Sequence, residues 1–160
     1  AVPGGYIVIF SGLIKDAGSA EEVAAVLAHE MGHLALDHTT KAFAQALVIL
    51  GVSHLMLGDP GIIGGLITNL ILMKHSRGHE EEADQYALDL LEKAQLPTKA
   101  LADFFNRIDV QDKTFGDVEF LSTHPITKNR IQMAENRKSQ ANTTPILSSK
   151  NWQTLQSYCQ

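Results

Sequence analysis

The five residues His29-Glu30-Met31-Gly32-His33 constrain this chain more than any other feature. They match H-E-x-x-H, and they lie in a stretch with strong helical character. Residues four apart on an α-helix share one face. His29 and His33 can therefore aim both imidazoles at one metal ion, and Glu30, one step round the helix, can reach a water beside it. Two neutral imidazoles and a general-base carboxylate form the ligand and base pattern of zinc hydrolases.

The flanking sequence supports a helix. Ser19-Ala20-Glu21-Glu22 reads as a capping box, with Ser19 as N-cap and Glu22 three residues on. Val23, Val26, Leu27, Leu34 and Ala35 then recur at helical spacing. The motif is predicted on a buried amphipathic helix over residues 20 to 38. Core histidines flanking a glutamate by chance are the weaker reading, because two His and a Glu on an apolar face are costly to bury without partners.

A chain of 160 residues can enclose a real core, and 44% apolar with 19% charged residues is an ordinary globular balance. The net charge of −5 and the lack of a basic stripe argue against a nucleic-acid partner. A single cysteine, Cys159, rules out both an intrachain disulfide and a zinc site built mainly from Cys. The chain begins at Ala1 with neither a methionine nor a signal peptide, so a processed piece lacking its targeting segment is expected.

Along the chain, Pro3-Gly4-Gly5 signals a turn and Tyr6-Ile7-Val8-Ile9-Phe10 a β-strand ending at Ser11-Gly12. Residues 42 to 57 and 62 to 73 are apolar runs separated by Gly58-Asp59-Pro60-Gly61. Neither is as long as the roughly 20 apolar residues of a spanning helix, and Gln45, His54 and Asn69 interrupt them. A buried helical hairpin is the plainer reading; a glycine-rich flap touching a membrane surface or covering the active site is the sharper one. Further helices are expected over 78 to 95, 98 to 110, and 125 to 137, the last with Pro125 at its first position. Residues 111 to 123 read as a polar loop. Residues 138 to 150 read as a linker to a short docking helix carrying Trp152, Leu155 and Cys159. The expected fold is α+β, mostly helical with a small β-sheet, in one metallopeptidase domain over residues 1 to 160.

A catalytic zinc needs three protein ligands and an open position. His38 lies five residues beyond His33, about 140° round a continuous helix, so it is expected to cap or pack at the helix end. In His79-Glu80-Glu81-Glu82-Ala83-Asp84, by contrast, Glu80 and Asp84 share a face one turn apart. Glu80 is the candidate third ligand. Asp84 is the candidate acceptor for the free ring N–H of a ligand histidine, which fixes the tautomer.

Taken together, H-E-M-G-H, the run Ser76-Arg77-x-x-Glu80-x-Glu82-Ala83-Asp84, the segment Pro3-Gly4-Gly5-Tyr6-Ile7, and Ser122-Thr123-His124-Pro125 followed by Arg130-Ile131 resemble the gluzincin metallopeptidases of the HtpX and CaaX-prenyl-protease type. The likeness is greatest to their soluble periplasmic, BepA-like branch and spans Pro3 to Ile131. The resemblance implies one Zn2+ per chain held by His29, His33 and Glu80, with Glu30 as general base. It also implies endoproteolysis of protein or peptide substrates, in bacterial periplasmic or envelope quality control. His124 is a candidate oxyanion donor, with a zinc plug and a helix-start residue as alternatives; Arg130 is expected to orient a neighbouring carboxylate. Tyr6, Ile7, Val8 and Ile9 are candidates for binding an extended substrate by β-augmentation, against an ordinary sheet strand. A latent enzyme, or a non-catalytic zinc domain binding envelope proteins as a chaperone does, is the competing functional class.

Overall fold

The computed structural model describes residues 1–57, 76–115, 123–138 and 144–159. Within them the chain is mostly helical: α1 (Ser11–Asp16), α2 (Ala20–Ala35), α3 (His38–Leu57), α4 (Arg77–Lys93), α5 (Lys99–Phe115), α6 (Lys128–Asn136) and α7 (Ser149–Ser157).

Ser19 starts α2 as its sequence promises, its hydroxyl accepting from the Glu22 amide at 3.2 Å. Glu22 departs from the expected box. Its carboxylate reaches the Gly18 amide at 2.8 Å and takes Arg107 of α5 in two bonds of 2.9 and 3.1 Å. The start of α2 is thereby tied to α5. The helix ends at Ala35, three residues short of the expected 38, because Asp37 adopts φ 59°. Asp tolerates this left-handed conformation better than most residues, and α3 begins at the next residue.

Helix α4 is capped by Ser76, whose hydroxyl accepts from the His79 amide at 3.2 Å. Left-handed Gln95 (φ 58°) closes it ahead of Pro97. Its small residues Ala83 and Ala87 are fully buried, so α2 lies close against it. Leu88 and Leu91 of α4, with Leu101, Phe104, Phe105 and Ile108 of α5, complete the core, and α6 adds Ala134. Each large apolar side chain buried here contributes about 1.5–3 kcal/mol. At the end of α6, Arg137 grips Glu92 and Asp89 of α4 through contacts of 2.6 Å. Trp152 is buried on α7, where Gln156 also donates to the carbonyls of Ile14 and Ala17, docking α7 near α1.

Several expectations need correction. The small β-sheet is not seen among the described residues. Val2 and Tyr6 form one isolated antiparallel bridge across Gly4 and Gly5, both at positive φ. Residues 7 to 10 then run without a neighbouring strand among the described residues, and Phe10 becomes the N-cap of α1. Helix α5 extends to Phe115, five residues into the expected loop, since neither Pro nor Gly interrupts it before Gly116; residues 116 to 122 lie outside the described residues. Helix α6 starts at Lys128 instead of Pro125, because Thr127 caps it by accepting from the Arg130 amide at 3.3 Å. Of the apolar run 42 to 73, residues 58 to 73 lie outside the described residues. On α3, Leu47, Val48, Ile49, Val52 and Leu55 are exposed, so this part is not buried core. No helix among the described residues is long and apolar enough to cross a membrane.

Candidate metal centre

The pairing of α2 with α4 brings the two sequence motifs face to face. Helix α2 presents His29, Glu30 and His33; α4 presents Glu80 and Asp84; all are buried. The close approach depends on Gly32, where a Cβ would stand 2.9 Å from the Ala83 carbonyl and 3.0 Å from its Cα.

The hydrogen-bond network sets the tautomers. His29 Nδ1 lies 2.7 Å from Asp84 Oδ1, and a carboxylate only accepts, so Nδ1 carries the proton. His33 Nδ1 lies 3.1 Å from Nδ1 of His38. With Nδ1 of His29 donating to Asp84 and Nδ1 of His33 donating to His38, the Nε2 atoms of His29 and His33 carry lone pairs, and these face each other at 3.0 Å. Glu80 adds Oε1 at 3.3 Å from His33 Nε2 and Oε2 at 3.6 Å from His29 Nε2. Lone pairs this close repel unless a proton or a cation lies between them. Ligand atoms about 2.0–2.2 Å from a tetrahedral zinc are roughly 3.3–3.6 Å apart; the two Glu80 contacts match that spacing, and the two Nε2 atoms at 3.0 Å stand closer together than a bound zinc would hold them. Both Glu80 oxygens are buried without a well-directed hydrogen bond, although Arg130 Nη1 pairs with Oε2 at 2.7 Å. This donor set fits zinc.

The charges in the pocket are strongly perturbed. Burial pushes Glu80 up to about 8 against the pull of Arg130. Burial also holds His33 down to about 4 in spite of Glu30, leaving a neutral ring suited to a metal ligand. For Glu30, burial acts upward, but the neighbouring imidazoles, His124 first and then His29, pull the carboxylate downward.

Arg130 of α6 lies beneath Asp84. Its Nε and Nη2 meet the two carboxylate oxygens at 2.5 and 2.8 Å, and Nη1 donates to the Pro125 carbonyl at 2.9 Å. Its guanidinium also covers the Phe105 ring at 4.7 Å. Such a fork is geometrically stiff, so it fixes both Asp84 and the segment before α6. That segment carries His124, which is buried, with Nε2 3.3 Å from Glu30 Oε1 and Nδ1 2.8 Å from the Thr123 hydroxyl. His124 stands four residues ahead of α6, not at its start. Donor atoms of His29, His33, Glu80 and His124 all lie within 4.8 Å of one another.

The structure thus brings together His29, Glu30, His33, Glu80, Asp84, His124 and Arg130. Tyr6, Val8 and Ile9 are exposed on the irregular segment before α1, with Ile7 partly buried. Sequence reasoning placed His38 at the end of the motif helix without linking it to His33, and gave no role to Glu82 or Thr123. The signal for His38 was Asp37, a residue able to end α2 and swing the next side chain back toward His33.

Residues 1–138 match the profile of peptidase family M48. Among similar proteins, metalloprotease LoiP of Escherichia coli is 32% identical over 147 residues, covering 87% of this chain and 58% of LoiP. Mitochondrial metalloendopeptidase OMA1 of Schizosaccharomyces pombe is 31% identical, covering 98% of this chain and 49% of that protein. A beta-barrel assembly-enhancing protease of Yersinia pestis is 26% identical, covering 93% of this chain and 34% of its own length. The chain therefore spans between about a third and three fifths of the length of these relatives.

Proposed function

The chain belongs to peptidase family M48, and on that premise we propose that it is a zinc-dependent endopeptidase acting on protein or peptide substrates. One observation carries the reading: the Nε2 atoms of His29 and His33 and the Glu80 carboxylate converge within 3.0–3.6 Å of one another, in the buried setting of a metal site and beside the Glu30 carboxylate.

His29, His33 and Glu80 would hold the zinc, which would supply Lewis acidity and make the attacking water acidic at neutral pH. The remaining chemistry belongs to the chain's own residues. Glu30 accepts the proton of the attacking water and hands it to the leaving amine. Asp84 holds His29 in the tautomer that presents Nε2, and Arg130 holds Asp84. His124 points Nε2 toward Glu30, and donation from that nitrogen to the oxyanion forming on the substrate carbonyl is its role in this reading. The four-donor cluster favours a second role for the same residue: in a closed state His124 would join His29, His33 and Glu80 in holding the metal, and the enzyme would rest latent. Glu30 disfavours a purely structural zinc domain, which has no use for a general base beside its ligands.

Substrate recognition by β-augmentation along Tyr6 to Ile9 is supported by the absence of a strand partner for residues 7 to 9 among the described residues. Peripheral membrane contact through residues 42 to 73 is supported by the exposed apolar side chains of α3. A place in bacterial envelope quality control is supported by the names of the bacterial relatives.

Metal analysis of the purified chain tests the core of this reading. One zinc per chain in the wild type and a loss of zinc in Glu80→Ala are expected. No zinc uptake by the wild type, or equal zinc in both proteins, overturns it.

A further inference from the structure

The mechanism above leaves one buried imidazole without a role. His38 opens α3 directly after the left-handed Asp37, and its side chain is 2% exposed. One ring nitrogen, Nδ1, lies 3.1 Å from His33 Nδ1; the other, Nε2, lies 2.9 Å from Glu82 Oε2. His79 stacks on the ring with centroids 4.2 Å apart and planes 13° from parallel. The protons can be assigned along this row. Glu82 accepts, so His38 Nε2 carries the hydrogen. A neutral His38 then has a lone pair at Nδ1, which accepts from His33 Nδ1–H. His33 is left with its lone pair at Nε2, the atom that faces Glu80.

We propose that His38, backed by Glu82, is the positioning residue that holds His33 in its metal-binding tautomer and orientation. The inference rests on the zinc reading above. His38 does for His33 what Asp84 does for His29, by different means. Asp84 is a buried carboxylate gripped by Arg130, whereas His38 is a ring whose supporting carboxylate is 63% exposed. Solvent weakens the outer contact. His38 therefore matters more to the metal than Glu82, and Glu82 acts only through His38. Because His38 is also the first residue of α3, the position of that helix is linked to the metal ligand.

The test uses the full chain and zinc affinity, measured by competition with a chromogenic chelator. The variants are His38→Ala, His38→Asn, Glu82→Gln and the double variant His38→Ala/Glu82→Gln. Loss of a group supporting a metal ligand is expected to weaken zinc by about 10–100-fold in His38→Ala. His38→Asn is expected to recover most of that loss, since an amide oxygen can stand where Nδ1 stood and accept from His33. Glu82→Gln is expected to weaken zinc less than His38→Ala does, and to add nothing in the His38→Ala background. Unchanged affinity in His38→Ala, a His38→Asn variant as weak as His38→Ala, or a Glu82→Gln loss that is equal in both backgrounds overturns the proposal. Glu82 is on the surface, so its comparison with His38→Asn decides the matter even if His38→Ala fails to fold. A wild type that takes up no zinc removes the zinc reading itself and this inference with it.

Discussion

Gly32 sits so close to Ala83 that a methyl group on it would come within 2.9 Å of the Ala83 carbonyl. The contact is backbone to side-chain position, with no flexible group to give way. It sets how closely α2 lies on α4, and hence whether His29 and His33 can share a metal with Glu80.

Gly32→Ala should accordingly push the two helices apart. Overpacking at such a contact costs about 1–3 kcal/mol. A lower denaturant midpoint with an unchanged slope is expected, together with weaker zinc binding. Wild-type stability would show that the helices can separate without penalty.

Asp84→Asn should weaken zinc binding by about 10–100-fold, because an amide is a poorer acceptor for His29 Nδ1–H and no longer pairs in full with Arg130. Chelator competition measures it. Unchanged affinity would leave Asp84 as a structural partner of Arg130 alone.

The metal-free protein should lose stability as pH rises from 6.5 to 8. Glu80 has a folded pKa raised from 4.5 to about 8, so its contribution is full below 4.5 and is lost as pH climbs through 8. His33 works in the opposite sense: its pKa is lowered from 6.5 to about 4, so its contribution is full above 6.5 and is lost as pH falls through 4. Above 6.5 the carboxyl dominates, with a loss of roughly 1–2 kcal/mol. Denaturant titrations at several pH values should show this slope in wild type and a flatter one in Glu80→Gln. The same slope in both would assign the effect elsewhere.

His124→Ala should keep its zinc and lose about 10²–10³-fold in kcat, the usual cost of an oxyanion donor. Higher activity than wild type would mark His124 as a plug alone. Wild-type kinetics with unchanged zinc affinity would remove both roles.

The site was more legible in the sequence than the fold. His29, Glu30 and His33 are read from a single helical turn, and Glu80 with Asp84 from another, because i, i+4 spacing is local. What local spacing cannot carry is the effect of one residue's backbone. Asp37 at φ 59° moves His38 from a distant helix face to the ring of His33. Thr127 displaces Pro125 as the start of α6, which frees the Pro125 carbonyl for Arg130. The strand expected over residues 6 to 10 is not seen among the described residues, for a different reason. Its β-rich side chains describe a preference, but a strand exists only where a neighbour pairs with it, and pairing is a long-range property.

The central claim is that Glu30 moves the proton in a zinc-dependent cleavage and does not hold the metal. Zinc content and cleavage of an unfolded protein, measured on one preparation of Glu30→Gln, test it most directly. The amide keeps the shape of the side chain but cannot take the proton. One zinc per chain with cleavage reduced by at least about 10²-fold is the expected result. Cleavage at the wild-type rate, or loss of the zinc, would contradict it.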